Sequence, residues 1–112
     1  MLRSKDIDRA ARFYEQMGLR FTRHAHGSGP IHYSSEVNGL VFEIYPVTES
    51  STPTISTRVG FAVDDVDLIV RLLGEIGAKI ITPASDSQWG RRAVVEDFDG
   101  HRVELTKGAP SP

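Results

Sequence analysis

The sequence predicts an α+β fold in which one strand–helix–three-strand unit (βαβββ) is used twice, and three observations predict it. The chain resembles itself at a spacing of 59 residues. Each copy holds a helix marked at both ends, and each helix is followed by strand-like runs joined by tight-turn sequences.

The opening residues Met1 to Lys5 have room for only a short first strand. Asp6 then precedes a segment in which Ala10, Phe13, Tyr14 and Met17 recur at i, i+3, i+4 and i+7, which places them on one helical face. Asp6 suits the N-cap, and Gly18 suits the residue after the helix. Leu19-Arg20-Phe21 alternates as a half-buried strand would. The runs Ile31 to Glu36 and Leu40 to Val47 flank Val37-Asn38-Gly39, and Asn-Gly is a hairpin signal. The Ser-, Thr- and Pro-rich stretch from Pro46 to Thr57 reads as a surface linker.

The second copy opens with a full strand, Arg58 to Asp64. Asp65 caps a helix whose face is Ile69, Leu72, Leu73 and Ile76, Gly77 ends it, and Ala78-Lys79-Ile80 follows. Asp6 with Asp65, Phe13 with Leu72, Met17 with Ile76 and Gly18 with Gly77 share one register. An amphipathic face alone recurs easily, but shared positions for both ends do not. Arg91 to Asp97 and His101 to Thr106 are joined by the turn Asp97-Phe98-Asp99-Gly100. The expected organisation is one domain: first module 1–47, linker 48–57, second module 58–107, tail 108–112.

At 112 residues, 39% apolar and 25% charged, the chain suits one folded domain rather than a disordered or fibrous protein. A net charge of −2 without a basic stripe argues against nucleic acid. The absence of cysteine excludes disulfides and thiolate metal sites. The apolar runs are too short to span a membrane, and Met1 to Asp6 lacks a signal-peptide core. A cytoplasmic protein is the default expectation.

The segment Asp6 to Tyr14 followed by Gly18-Leu19 resembles the opening of the vicinal oxygen chelate proteins, the glyoxalase/bleomycin resistance/extradiol dioxygenase superfamily. Phe42-Glu43-Ile44, Val63-Asp64, Asp97-Phe98-Asp99-Gly100 and Val103-Glu104-Leu105 resemble its later landmarks, although Phe98 stands where the family often has Pro. The resemblance implies two tandem modules forming a cupped mixed sheet with helices on the outer face. In metal-dependent members four positions hold one divalent ion, two on the first strands and two on the last. The last-strand positions correspond to Glu43 and Glu104. The first-strand position of the second module is Arg58, and that of the first module would fall before Met1.

Strand alternation places Glu43 and Tyr45 opposite Phe42 and Ile44, so with the apolar face on the helices the two glutamates should line the cup. Arg58 cannot ligate a metal, because guanidinium stays protonated and has no lone pair to give. An internal charge cluster, with Arg58 paired to Glu43 or Glu104, or an anion-recognising Arg58, is therefore favoured over a bound ion (Ni, Zn, Co, Mn or Fe). His32, beside Glu43 in strand pairing, is the candidate extra ligand. His24 and His26 share a strand face but sit at a solvated end. Trp89 and Arg92, with Arg91, stand where a loop would close over a ligand. His101 is expected to be exposed, and Asp97 and Asp99 to make the turn.

Two functions follow. One is a protein that binds a small molecule, with Arg58, Tyr45, Trp89, Arg92, His32 and the two glutamates as contacts, the glutamates suiting a cationic ligand and Arg58 and Arg92 an anionic one. The other is a metal-dependent lyase or isomerase of glyoxalase I or epimerase type, using Glu43 and Glu104 as ligand or base with His32 as replacement ligand. A dioxygenase iron site would need two histidines with one carboxylate on these strands. A homodimer is expected, because a short first strand leaves a sheet edge to pair.

Overall fold

A computed structural model describes residues 1–25, 31–37, 40–47, 57–88 and 90–108. The chain divides into two compact units, Met1–Thr54 and Ile55–Pro112.

In the first unit, β1 (Leu2–Ser4) leads to α1 (Ile7–Glu15), then β2 (Thr22–His24), β3 (His32–Val37) and β4 (Leu40–Pro46). The sheet order is β1-β4-β3-β2. β1 runs parallel to β4, and the other neighbours are antiparallel. Asp6 caps α1 as its carboxylate accepts from the Arg9 amide at 3.1 Å, which satisfies a donor the helix leaves unpaired. The helix buries Ala10, Ala11, Phe13 and Tyr14. Tyr14 and Phe21 both meet the ring of Phe42, with centroids 5.0 and 6.2 Å apart. Leu2 and Ile44 join the core. Burying a side chain of this size contributes about 1.5–3 kcal/mol.

The second unit repeats the plan: β5 (Arg58–Val63), α2 (Val66–Glu75), β6 (Lys79–Ser87), β7 (Gly90–Glu96) and β8 (Arg102–Lys107), in sheet order β5-β8-β7-β6. Asp65 caps α2 through the Leu68 amide at 3.1 Å. Gly18 and Gly77 follow the two helices at φ 92° and 94°, a left-handed conformation that a side chain disfavours. The backbone repeats too: the Val47 amide donates to the Ser4 carbonyl, and the Gly108 amide to the Val63 carbonyl. The core of this unit is Val63, Val66, Leu73, Ala93, Val94, Val95, Val103 and Leu105.

Three details differ from the sequence reading. The strand expected at Leu19 to Phe21 starts at Thr22, because Phe21 turns its ring onto Tyr33 and Phe42 instead of entering the ladder. β6 runs for nine residues, through Pro83, well beyond the Ala78 to Ile80 that the sequence marks. Its register with β7 shifts between Thr82 and Ser85, where a residue without an N–H costs no ladder bond. On α2 the expected face rotates slightly: Leu73 is buried, whereas Ile76 is the C-cap and 37% exposed. The hairpin residues Asn38 and Gly39 lie outside the described residues, although Val37 and Leu40 on either side are register partners.

Candidate functional site

In each unit the helix covers one sheet face, and strand parity assigns the polar candidates to the other. In the first unit, Phe42 and Ile44 face the helix, so Glu43 and Tyr45 occupy the helix-free face, as expected. The register adds what spacing could not give. His24 opposes His32, His32 lies beside Tyr45, and Tyr45 opposes Arg3. These four residues form one row across all four strands. Their planes follow the row: His24 and His32 stack at 5.4 Å, His32 and Tyr45 at 4.2 Å and 6°, and the Arg3 guanidinium lies 5.5 Å from the Tyr45 ring centre.

Glu43 stands beside this row. Its Oε2 is 3.7 Å from His32 Nε2 and accepts from the Tyr45 hydroxyl at 3.4 Å. His32 is 5% exposed. Arg3 is further fixed by donating to the Pro46 carbonyl at 3.1 Å. Desolvation pushes the Tyr45 phenol above its usual value, the negative Glu43 beside it pushes the same way, and Arg3 opposes them. A phenol raised in the folded state adds stability that is complete below the unfolded pKa, about 10, and is lost as pH rises through the folded value. Ultraviolet titration, assigned with Tyr45→Phe, should show Tyr45 ionising above free tyrosine and Glu43→Gln moving it down. An unchanged Tyr45 titration in Glu43→Gln would show that the two groups are not coupled.

In the second unit Glu104 also lies on the helix-free face, between Val103 and Leu105, both buried. Its ion-pair partner is Arg92, at 3.4 Å, and not the expected Arg58, which forms no ion pair among the described residues. Parallel pairing explains this, because Glu104 opposes Gly60 while Arg58 opposes Arg102. Arg91 and Arg92 point to opposite faces. Arg91 grips Asp67 at the start of α2 with two hydrogen bonds and also reaches Asp86. Asp67 is held below the usual carboxylate range by that arginine. These residues, with Asp64, Asp65 and Lys107, line a cleft at the start of α2. Asp65 is committed to its cap and Asp67 and Asp86 to Arg91, so the cleft is a structural tie. Trp89 and His26 lie outside the described residues.

The expectation that His101 is exposed is wrong. It is 1% exposed, and its Nδ1 lies 2.7 Å from Oδ2 of Asp97, itself 5% exposed. Parity carried the signal: His101, Val103 and Leu105 alternate onto the buried face. Asp97 also accepts from the amides of Asp99 and His101 through Oδ1, so its turn-forming role stands. Asp97, Asp99 and His101 are the one trio of metal-ligating side chains gathered within 4.8 Å among the described residues. Both carboxylate oxygens of Asp97 are already occupied, which makes the trio a turn lock. Arg3 and Arg102 were missed, and His24, expected at a solvated strand end, instead opposes His32, because register, not local sequence, brings these residues together.

A duplicated βαβββ unit with a glutamate at the same place on each last strand matches a known family. The model of the Glyoxalase/Bleomycin resistance protein/Dioxygenase superfamily matches residues 1–105. A probable chloroplastic lactoylglutathione lyase of Arabidopsis thaliana is 28% identical over 119 aligned positions. That match takes in 96% of this chain but 34% of the relative, so the chain spans about a third of the curated protein. A glyoxalase I variant from Zea mays superposes with TM-score 0.79 at 20% identity, covering 99% of this chain and 44% of that one. TnmS3, an antibiotic binding protein from Streptomyces sp. CB03234, superposes with TM-score 0.68 at 25% identity, covering 93% and 88%. Fold, repeat and family match agree, and the chain belongs to the glyoxalase/bleomycin resistance protein/dioxygenase superfamily.

Proposed function

We propose that this protein binds a small molecule through polar groups on its helix-free sheet faces and does so without a resident metal. The observation that carries this reading is the Arg92–Glu104 ion pair at 3.4 Å. The protein's own cation neutralises the glutamate that the family uses as a ligand, and Arg58 occupies a second ligand position with a group that cannot donate a lone pair. In the first unit, Glu43 and His32 bring two donors together, a thin set for a divalent ion that must replace its lost water. The residues of each unit therefore do not fit a metal centre. The proposed contacts are Tyr45, His32 and Glu43 in the first unit and, in the second, Arg58, Arg92, Glu104 and Trp89, each unit taken by itself. Similarity to an antibiotic binding protein supports a binding role.

A metal-dependent lyase or isomerase is the second reading. It is favoured by the approach of His32 to Glu43 and by the similarity to lactoylglutathione lyases. Elemental analysis of protein purified without a histidine tag separates the two. The expected result is metal well below one equivalent, with thermal unfolding indifferent to added Ni²⁺, Zn²⁺, Co²⁺ or Mn²⁺. One equivalent of metal, lost in Glu104→Gln and accompanied by lactoylglutathione lyase activity, would overturn the binding reading. The proposal also takes the protein to be a cytoplasmic homodimer, for which the three-residue β1 leaves a sheet edge to pair. Sedimentation should give twice the chain mass. No described helix is long and apolar enough to cross a membrane.

A further inference from the structure

We propose that the helix-free face of the second sheet holds an oxyanion, a phosphate or carboxylate, between the guanidinium groups of Arg58 and Arg102. This deepens the small-molecule-binding reading and rests on it.

The inference comes from the register. One row across this sheet reads Arg58, Arg102, Glu96, Lys79, since Arg58 opposes Arg102, Arg102 opposes Glu96 and Glu96 opposes Lys79. Three cations and one acid thus share a row on strands spaced roughly 4.8 Å apart. Like charges directly opposed across strands are destabilising. The next row offers one further acid, Glu104, and that carboxylate is taken by Arg92. Neither Arg58 nor Arg102 makes an ion pair among the described residues. Glu96 opposes Arg102 but forms no ion pair with it among the described residues, and two neighbouring guanidinium groups suit an anionic ligand, because each presents a planar fork of donors that matches an oxyanion.

The space beside them is open. Gly60 follows Arg58 on the same face, and a side chain added there would meet nothing within 4 Å. Arg58 is exposed and Arg102 half-buried, so the first can close on a ligand that the second anchors. Arg92 is spent on Glu104, which assigns it to neutralising the floor of the site and leaves anion capture to the other two. Of the two arginines that suit an anionic ligand in the sequence, Arg92 pairs with Glu104, and the proposal takes Arg102 in its place.

The test is a ¹⁵N-resolved titration of the full chain with inorganic phosphate and, separately, malonate, each against sodium chloride at matched ionic strength. Saturable shifts of the Arg58, Gly60 and Arg102 signals are expected with at least one anion. Arg58→Gln and Arg102→Gln should each weaken that binding about tenfold, as expected for losing a charged hydrogen-bonding partner. Arg71→Gln, which removes an equal charge from an exposed position on α2, should leave it unchanged. Arg102→Lys keeps the charge without the fork, so it should bind at an intermediate level and serves if Arg102→Gln fails to fold. The tighter of the two anions identifies the ligand class. Shifts that stay linear and match those of chloride, or equal weakening in Arg71→Gln, would overturn the proposal. An anion that saturates elsewhere on the helix-free faces, indifferent to Arg58 and Arg102, would overturn this site while leaving small-molecule binding standing.

Discussion

Asp97→Ala is expected to lower the unfolding free energy by about 3–5 kcal/mol, because three buried or part-buried donors lose one shared acceptor at about 1–3 kcal/mol each. The carboxylate accepts three donors at once: the amides of Asp99 and His101 and the imidazole Nδ1 of His101. Alanine leaves all three without that acceptor in a region where His101 is 1% exposed. Unmet buried donors lose their hydration without compensation. The whole stability of a domain this size is about 5–15 kcal/mol, so the variant should be partly unfolded in mild urea. Asp97→Asn keeps an acceptor and the shape, and should lose about 1–3 kcal/mol. Urea titration measures both values, and hydrogen exchange at the His101 amide locates the damage. A loss below about 1 kcal/mol for the alanine variant would show that the pair is solvated and the turn held by its backbone alone.

The same turn shows what the sequence made legible. Helix ends were readable because they are local chemistry: Asp6 and Asp65 cap at identical offsets, and Gly18 and Gly77 adopt the same left-handed angle. The faces of Glu43 and Glu104 were readable because strand parity is local too. The partners of those glutamates were not. Arg92 rather than Arg58 reaches Glu104 because β5 lies parallel to β8 in a register that sets Gly60 against the glutamate. His24 joins His32 because β2 is the edge strand of its sheet. Such juxtapositions depend on strand order, which alternation does not encode. His101 is a different case. Its parity with Val103 and Leu105 is legible in the sequence, and all three are buried despite the turn that precedes them.

Phe13→Ala should cost about 3–5 kcal/mol, whereas Leu72→Ala, at the position 59 residues on, should cost clearly less. Periodicity treats the two as equivalents. Phe13 is 0% exposed, with its ring 4.8 Å from Tyr14, but Leu72 is only partly covered. In the second unit the buried role falls to Leu73, also 0% exposed, which aligns with Tyr14. The first helix therefore seats two aromatic rings where the second seats one leucine. Large-to-small substitution costs the lost transfer energy plus the cavity left behind. A partly exposed leucine leaves a smaller cavity, because water reaches the gap. Leu73→Ala should accordingly lose about 2–5 kcal/mol and exceed Leu72→Ala. Urea midpoints of the three variants, at unchanged m-value, give the ranking. Equal losses at Leu72 and Leu73 would mean that α2 presents the face its periodicity predicts, with the helix turned from the orientation described.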